Sequence, residues 1–180
     1  MYGAAKLASE ALIASVAHTF ELDAVSYRFA NVVGPRATHG VIVDFIRKLR
    51  AEPRRLEILG DGTQTKSYVH VEDCVNGILL PFDHPRRRRP YDAYNIGTRD
   101  AVSVTRIADI VTDVLGLAGV RYVFTGGVQG GRGWPGDVKR MQLDASRLER
   151  RGWKAARTSE DAVRDAATWL RDNWAVVDAA

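Results

Sequence analysis

The sequence contains one cysteine, Cys74, among 180 residues, so no disulfide can form within the chain. It also has no apolar run near the roughly 20 residues that a membrane-spanning helix needs. Its first residues lack the apolar stretch and small-residue cleavage site of a secretory signal. A lone thiol is typical of a reducing compartment. Together these absences predict a cytoplasmic protein without a membrane partner.

The histidines do not cluster either. They are scattered along the chain and no two of them lie three or four residues apart, so the sequence predicts no metal site. They are His18, His39, His70 and His84. The four tryptophans form no array with interleaved cations, and we expect them to be core anchors. They are Trp134, Trp153, Trp169 and Trp174.

A glycine fingerprint for a dinucleotide is also lacking. The segment "GVQGGRG" places Gly127, Gly130 and Gly133 in a loose G-x-x-G-x-x-G pattern, but "WPGD" follows it instead of a long helix. Because a dinucleotide pyrophosphate binds at a helix N-terminus, this loop is not predicted to hold one.

The net charge of +4 comes largely from Arg86–Arg89, which lie between Pro85 and Pro90. The prolines favour an exposed loop over a helix laid in a groove. No helix-turn-helix, zinc-finger or aromatic RNA-binding motif accompanies the arginines, so we expect no nucleic-acid partner. The alternative, a nucleic-acid-binding protein, predicts strongly salt-dependent binding that is lost when the four arginines become serine.

Helical and strand patterns alternate along the chain, which predicts an α/β fold with parallel pairing. "AVSYRFANVVG" has the pattern of a buried strand, and Asp73 and Ser103 are predicted helix N-caps. Predicted helices cover Tyr2–Phe20, "GVIVDFIRKLRA", "CVNGILLPF", "SVTRIADIVTDVLG", "DASRLERRG" and "SEDAVRDAATWLRDNW"; further strands are "LEIL", "KSYVHV", "AYNIG" and "VRYVFTG".

Tyr2 and Lys6 stand four residues apart on the first predicted helix, so both side chains share one face. A free tyrosine titrates near pH 10 and is a poor base at neutral pH, but a neighbouring ammonium favours the phenolate. Such a pair can accept a proton from a substrate hydroxyl. The alternative is a surface tyrosine beside a solvated lysine.

Five segments occur together in one order: "YGAAKLASE", "RFANVVGPR", "GDGTQTKSYVHVEDCV", "YNIGT" and "GDVKRMQLDASRLERRGW". They resemble, in turn, the catalytic helix, the following strand, the substrate-domain hairpin with its next helix, and two C-terminal signatures of one family. The family is the extended short-chain dehydrogenases/reductases, specifically the nucleotide-sugar epimerases and dehydratases that resemble UDP-glucose 4-epimerase. The resemblance covers nearly the whole chain.

The resemblance implies an α/β architecture in two parts. Residues 1–34 and 69–97 would be the C-terminal remainder of a Rossmann-type, NAD-binding parallel sheet. Residues 35–68 and 98–180 would form a small α/β substrate-binding domain. The glycine-rich half that holds the NAD pyrophosphate would lie upstream of Met1, so we expect this chain to be a C-terminal half with little or no activity alone.

The resemblance also assigns roles by position. Tyr2 would be the acid/base, Lys6 would hold the nicotinamide ribose, and Phe29 would lie near the nicotinamide. The candidate substrate ligands are Asn31 and Lys66 for the diphosphate, Arg132 as a second phosphate ligand, Asp137 for a ribose hydroxyl or that arginine, and Leu56 and Ile58 for the base. Lys66 replaces an arginine usual in the family, which keeps the charge but loses the bidentate fork. For Asp137 the alternative is a loop-ordering carboxylate, and for Leu56 and Ile58 a core role.

The implied activity is NAD-dependent epimerisation of a UDP- or dTDP-hexose by a homodimer. A small-residue stripe on the first helix, at Ala4, Ala8, Ala11 and Ser15, is compatible with that dimer. Two alternatives stay open, a 4,6-dehydratase of the same family and a non-catalytic nucleotide-sugar-binding module.

Overall fold

A computed structural model of the chain describes residues 1–83 and 90–178. Arg86–Arg89 and His84 therefore lie outside the described residues. The helices are α1 Tyr2–Thr19, α2 Val41–Ala51, α3 Val71–Asp83, α4 Val104–Val114, α5 Ser146–Glu149, α6 Ser159–Asp172 and α7 Trp174–Asp178. The strands are β1 Ala24–Phe29, β2 Asn31–Val33, β3 Arg55–Ile58, β4 Thr65–Lys66, β5 Tyr68–His70, β6 Tyr91–Ile96, β7 Val102–Ser103, β8 Arg121–Phe124 and β9 Arg140–Met141.

Strand pairing is mainly parallel, as predicted. β1 pairs with β6, β2 with β5, and β3 with β8, all in parallel. β4 pairs in parallel with β9 and antiparallel with β7. The predicted α/β class is confirmed.

The segment "AVSYRFANVVG" is two strands, not one. The Ala30 N–H donates to the Ile96 carbonyl at 2.8 Å, whereas the next N–H, that of Asn31, donates to the Ser67 carbonyl at 3.2 Å. The chain therefore changes strand partner between two consecutive residues. The prediction that this segment is buried is wrong, because β1 is half-buried and ends in exposed Arg28 and Phe29.

"GDGTQT" does not connect a hairpin, so the hairpin expected from the resemblance is wrong here. Gly60 and Gly62 have φ of +92° and +83°, the left-handed region that favours glycine. The turn they make sends β4 away from β3. The edge of β3 is taken by β8, and β4 is paired by β7 and β9.

Two apolar clusters form the core. The larger lies under α2, α4 and α6 against β3, and the smaller lies under β6, α3 and α5. Neighbouring residues of β5 contribute to different clusters, Tyr68 to the larger and Val69 to the smaller. This follows from the alternation of side chains along a strand.

One predicted cap is confirmed and one is wrong. The Ser103 hydroxyl accepts from the Arg106 N–H at 3.1 Å, which caps α4. Asp73 lies inside the first turn of α3, and its carboxylate accepts from the Arg157 N–H at 3.2 Å. His70 Nδ1 instead accepts from the Glu72 N–H, at 3.3 Å.

Within residues 1–83 and 90–178, no helix is both long and apolar enough to cross a bilayer. The same residues contain no cluster of three histidine, cysteine or acidic side chains placed to hold a metal ion.

Candidate functional site

Two adjoining cavities lie between α2, β2, β4 and the loop before β9. The first, of about 300 Å³, has apolar walls from Phe45, Leu59 and Val104. The second, of about 440 Å³, is bordered by β2. Five residues border both cavities, at the place we call the junction: Gly40, Val41, Lys66, Tyr68 and Trp134.

The junction has two features that suit an anion. Gly40 is the N-cap residue of α2 and Val41 is its first residue, and no side chain caps that helix. Uncapped N–H groups at a helix N-terminus favour negative charge. The Lys66 ammonium stands at the same place, so a fixed cation and a helix N-terminus meet there.

Lys66 has two partners. Its Nζ donates to Asp137 Oδ1 at 2.7 Å and lies 5.5 Å from the centroid of the Trp134 ring. The Asp137 side chain is only 3% exposed and that of Lys66 is 21% exposed. The ammonium is therefore held by one buried carboxylate while it still faces the cavities.

The "WPGD" segment builds this arrangement. The Asp137 N–H donates to the Trp134 carbonyl at 3.0 Å, and Gly136 has φ of +89°. Proline followed by a positive-φ glycine is the sequence of a type II turn. Asp137 Oδ2 then accepts from the Gly133 N–H at 3.1 Å, so the carboxylate orders the loop. This arrangement corresponds to the second of the two roles considered for Asp137, a carboxylate that orders its loop.

An ion pair joins the segment around the glycine-rich loop and "WPGD" to the turn between β3 and β4. Lys139 Nζ donates to Asp61 Oδ2 at 2.6 Å, and the Thr63 N–H and hydroxyl donate to Asp61 Oδ1. The Arg132 guanidinium donates to the Gln129 carbonyl at 3.1 Å, and Arg132 borders neither cavity. The described residues that directly follow the loop, 134–139, form no helix.

We expect the contribution of the Lys139–Asp61 ion pair to the stability of the fold to depend on pH. The hydrogen bond from Lys139, with those from Thr63, holds the pKa of Asp61 well below its ordinary value of 3.8. A carboxyl with a lowered folded-state pKa stabilises the fold above its unfolded pKa and loses that effect as the pH falls. The difference in urea midpoint between wild type and Asp61→Asn should therefore be constant above about pH 5 and shrink below about pH 4.

Lys139→Met removes the same ion pair from its other side and serves as the companion variant. Both variants should show the same pH profile. A difference that persists unchanged to pH 3 would contradict the assignment of the effect to this ion pair.

Tyr68 lies at the junction as a neutral hydroxyl. Burial, with the nearby Asp137 carboxylate, raises the pKa of Tyr68 to about 12, and the Asn31 side chain opposes this shift by hydrogen bonding. A phenol with so high a pKa does not act as a base at neutral pH. Tyr68 is therefore suited to orienting a ligand or Asn31.

Tyr2 and Lys6 are close together but away from the cavities. The Lys6 ammonium lies 5.4 Å from the centroid of the Tyr2 ring, and Tyr2 is 79% exposed. Phe29, at the carboxyl end of β1, is also exposed, and its ring stacks on Tyr27 at 6.2 Å.

The structure thus brings Asn31, Lys66 and Asp137 to one pair of cavities. Leu56 and Ile58 are completely buried, as expected if they have a core role and do not contact the base. The neighbouring Leu59 borders the first cavity instead. Sequence reasoning missed Trp134 as a site residue; the signal was "WPGD", since a type II turn presents its first residue at a loop surface.

Gln64 was missed as well. It borders the first cavity and is 6% exposed. Its Nε2 donates to the Leu59 carbonyl at 2.9 Å, whereas its Oε1 is buried without a hydrogen-bond partner. No periodicity or motif marked it.

The fold and the site define a Rossmann-type α/β protein with an anion-suited cavity beside parallel strands. Residues 1–97 match the model of the family described as "NAD dependent epimerase/dehydratase family". The chain belongs to this family of NAD-dependent enzymes.

Individual similar proteins agree with this family assignment. A putative UDP-glucose 4-epimerase of Methanocaldococcus jannaschii is 27% identical over 176 residues, which cover 96% of this chain and 53% of that protein. A crystal structure of UDP-galactose 4-epimerase is 40% identical, with a TM-score of 0.82 over 95% of this chain and 53% of that one. The UDP-glucose 4-epimerase of Thermotoga maritima, solved with UDP-glucose, is 27% identical, with a TM-score of 0.79 over 96% of this chain and 54% of that one. The chain spans about half the length of the relatives it matches.

Proposed function

We propose that this chain supplies the acid/base helix and the nucleotide-sugar site of an NAD-dependent epimerase that acts on a UDP- or dTDP-hexose. The observation that carries the proposal is the pair of adjoining cavities: Lys66 and the N-terminus of α2 border both of them, and Asn31 borders the second. A 40% identical structure of a UDP-galactose 4-epimerase supports it.

The junction suits the diphosphate of such a substrate. Lys66 offers a charge-assisted hydrogen bond, and the first N–H groups of α2 offer further donors. The apolar first cavity accepts the planar base, while the second cavity, beside β2, accepts the sugar. The Asn31 amide would donate to a phosphate oxygen or a sugar hydroxyl.

We place Tyr2 and Lys6 at the reacting end of the site. Both are exposed on one face of α1, with the Lys6 ammonium 5.4 Å from the centroid of the Tyr2 ring. We assign Tyr2 Oη to moving the proton of the sugar hydroxyl and Lys6 to holding the nicotinamide ribose, with Phe29 near the nicotinamide. NAD, when bound, supplies the acceptor and donor of the hydride.

The described residues fit only part of NAD, because among them no glycine-rich loop opens a helix that could take a pyrophosphate. For this reason we propose that the chain alone does not turn over a nucleotide sugar. A dehydratase would share the first proton transfer at Tyr2, and the family description covers both reactions.

We propose the same division of the chain as above: residues 1–34 and 69–97 for the NAD-binding part, and residues 35–68 and 98–180 for the substrate part. Residues of both parts line the second cavity, since Asn31 belongs to the first part and Tyr68 to the second. A second copy of the chain on the small-residue face of α1 is the proposed dimer partner.

The test is calorimetric titration of the chain with UDP-glucose, together with an assay of UDP-galactose formation in the presence of NAD. We expect binding without turnover. Asn31→Ala should weaken binding about tenfold through loss of a hydrogen bond to a charged group. Asn95→Ala, the matched control, removes an exposed amide that donates to the Asp144 carbonyl and should leave binding unchanged.

Failure to bind UDP-glucose at millimolar concentration would overturn the proposal. Turnover by the chain alone would overturn the part that concerns inactivity. The non-catalytic binding module, which the lack of a pyrophosphate loop in the described part of the chain favours, predicts UDP-glucose binding and no NAD binding even in a longer protein.

A further inference from the structure

Trp134 differs from the other tryptophans in its exposure. Its side chain is 54% exposed, whereas Trp153 and Trp174 are 5% and 8% exposed and Trp169 packs against the larger core cluster. The expectation that all four are core anchors is therefore wrong for Trp134. A large exposed aromatic ring beside a cavity is typical of a binding surface.

The position of Trp134 is fixed before any ligand binds. The type II turn holds its carbonyl on the Asp137 N–H, and the Lys66 ammonium lies against its ring. Asp137, in turn, binds both Lys66 and the Gly133 N–H. A ring held in this way loses little conformational entropy when a ligand packs on it.

Charge alone gives these cavities modest attraction for a nucleotide. Lys66 is the only lysine or arginine among the lining residues of the described chain, and it is already paired with Asp137. Asp44 adds a second carboxylate to the lining of the first cavity. A nucleoside diphosphate brings several negative charges, so apolar contact has to contribute much of its affinity.

The apolar contact available is a slot in the first cavity. Trp134 borders the cavity together with Leu59, Phe45 and Val104. A planar ring placed there has an indole on one side and aliphatic or aromatic side chains around it. The junction cation then lies beside the phosphate end of the same ligand.

We propose, resting on the function proposed above, that Trp134 is the residue that determines affinity for the nucleotide, because the planar base of a nucleoside diphosphate packs on its indole. Lys66 and the N-terminus of α2 hold the phosphates, and Trp134 holds the base. Removal of the ring weakens ligands that carry a base and spares ligands that carry phosphate alone.

The experiment is titration of the chain and its variants with UDP and with pyrophosphate, followed by calorimetry and by tryptophan fluorescence. Trp134→Ala should raise the Kd for UDP by about tenfold or more, and Trp134→Phe, which keeps a ring, by less than about threefold. Pyrophosphate, which has no base, should bind both proteins equally within about twofold or bind neither measurably. UDP should quench the fluorescence of wild type and of the control variant Trp169→Phe but not that of Trp134→Phe.

Equal UDP affinity in wild type and Trp134→Ala would overturn this inference and leave the proposed function intact. A parallel loss of UDP and pyrophosphate binding in Trp134→Ala would overturn it too, because it would mean that the ring only supports the Lys66 pair. Absence of UDP binding in wild type would overturn the proposed function and this inference together. Circular dichroism of each variant checks that the loss is not unfolding.

Discussion

Trp153→Ala is expected to lower the free energy of unfolding by about 3–5 kcal/mol, the range for loss of a large aromatic side chain from a packed core. Trp153 is 5% exposed in the smaller core cluster, and its Nε1 donates to the Asp73 carbonyl at 3.0 Å. It packs so closely on Gly77 that a Cβ there would lie 2.9 Å from Nε1. The alanine variant therefore leaves a cavity beneath α3 and removes the hydrogen bond to the Asp73 carbonyl.

Urea unfolding followed by far-ultraviolet circular dichroism measures this effect without relying on tryptophan emission. The matched control is Trp134→Ala, which makes the same chemical change at a side chain that is 54% exposed. The control should lose less than about 1 kcal/mol. Equal losses in the two variants would contradict the packing described for Trp153.

Lys66→Met is expected to lower the free energy of unfolding by roughly 2–3 kcal/mol, because it leaves the Asp137 carboxylate buried without its cation. Asp137 is only 3% exposed on its side chain, so water cannot replace the lost partner fully. Among the residues that the structure describes, the only other hydrogen-bond donor to the Asp137 carboxylate is the Gly133 N–H. Urea unfolding at neutral pH measures the loss.

The double variant Lys66→Met with Asp137→Asn should recover much of that stability, since the amide carries no charge to be desolvated. The cycle of single and double variants isolates the interaction of the pair. Losses that simply add would mean that Lys66 and Asp137 stabilise the loop independently. Such a result would also weaken the description of the junction as one preorganised unit.

These two predictions concern the two parts of the molecule that hold the site in place. Trp153 ties the C-terminal segment to α3, and the Lys66–Asp137 pair ties the "WPGD" loop to β4. Helix α1, which carries Tyr2 and Lys6, is joined to β1 by the ion pair of Glu10 with Arg28, whose Nε donates at 2.9 Å. Exposed ion pairs of this kind contribute little stability.

Local pattern was enough for most elements of the fold. Helices α2, α4 and α6 have apolar residues at helical spacing, and Ser103 marks a helix start that the structure confirms. The alternation of helices and strands gave the α/β class, since a strand must return to a parallel neighbour through a crossover. The five motifs in order gave the family, which the comparison confirms for residues 1–97.

Three residues show where local pattern failed. Asp73 has the sequence context of a cap, but the Arg157 N–H, 84 positions later, takes its carboxylate. Ala30 lies within a segment that has the pattern of one strand, yet the strand changes partner there. Gln64 has no distinguishing neighbours, although its Oε1 is buried without a partner at a cavity wall.

The sequence by itself determined helices α1 to α6, most strands, the parallel class and the family, because hydrophobic period, caps and motif order depend on residues near one another in the chain. Only the tertiary structure decided which side chains share a site: that Lys66 meets Asp137, that Leu56 is buried while Leu59 faces a cavity, and that Trp134 is exposed while Trp153 is core. Residue type is the same for both tryptophans. What differs is the set of distant segments that pack on each, and no local pattern records that.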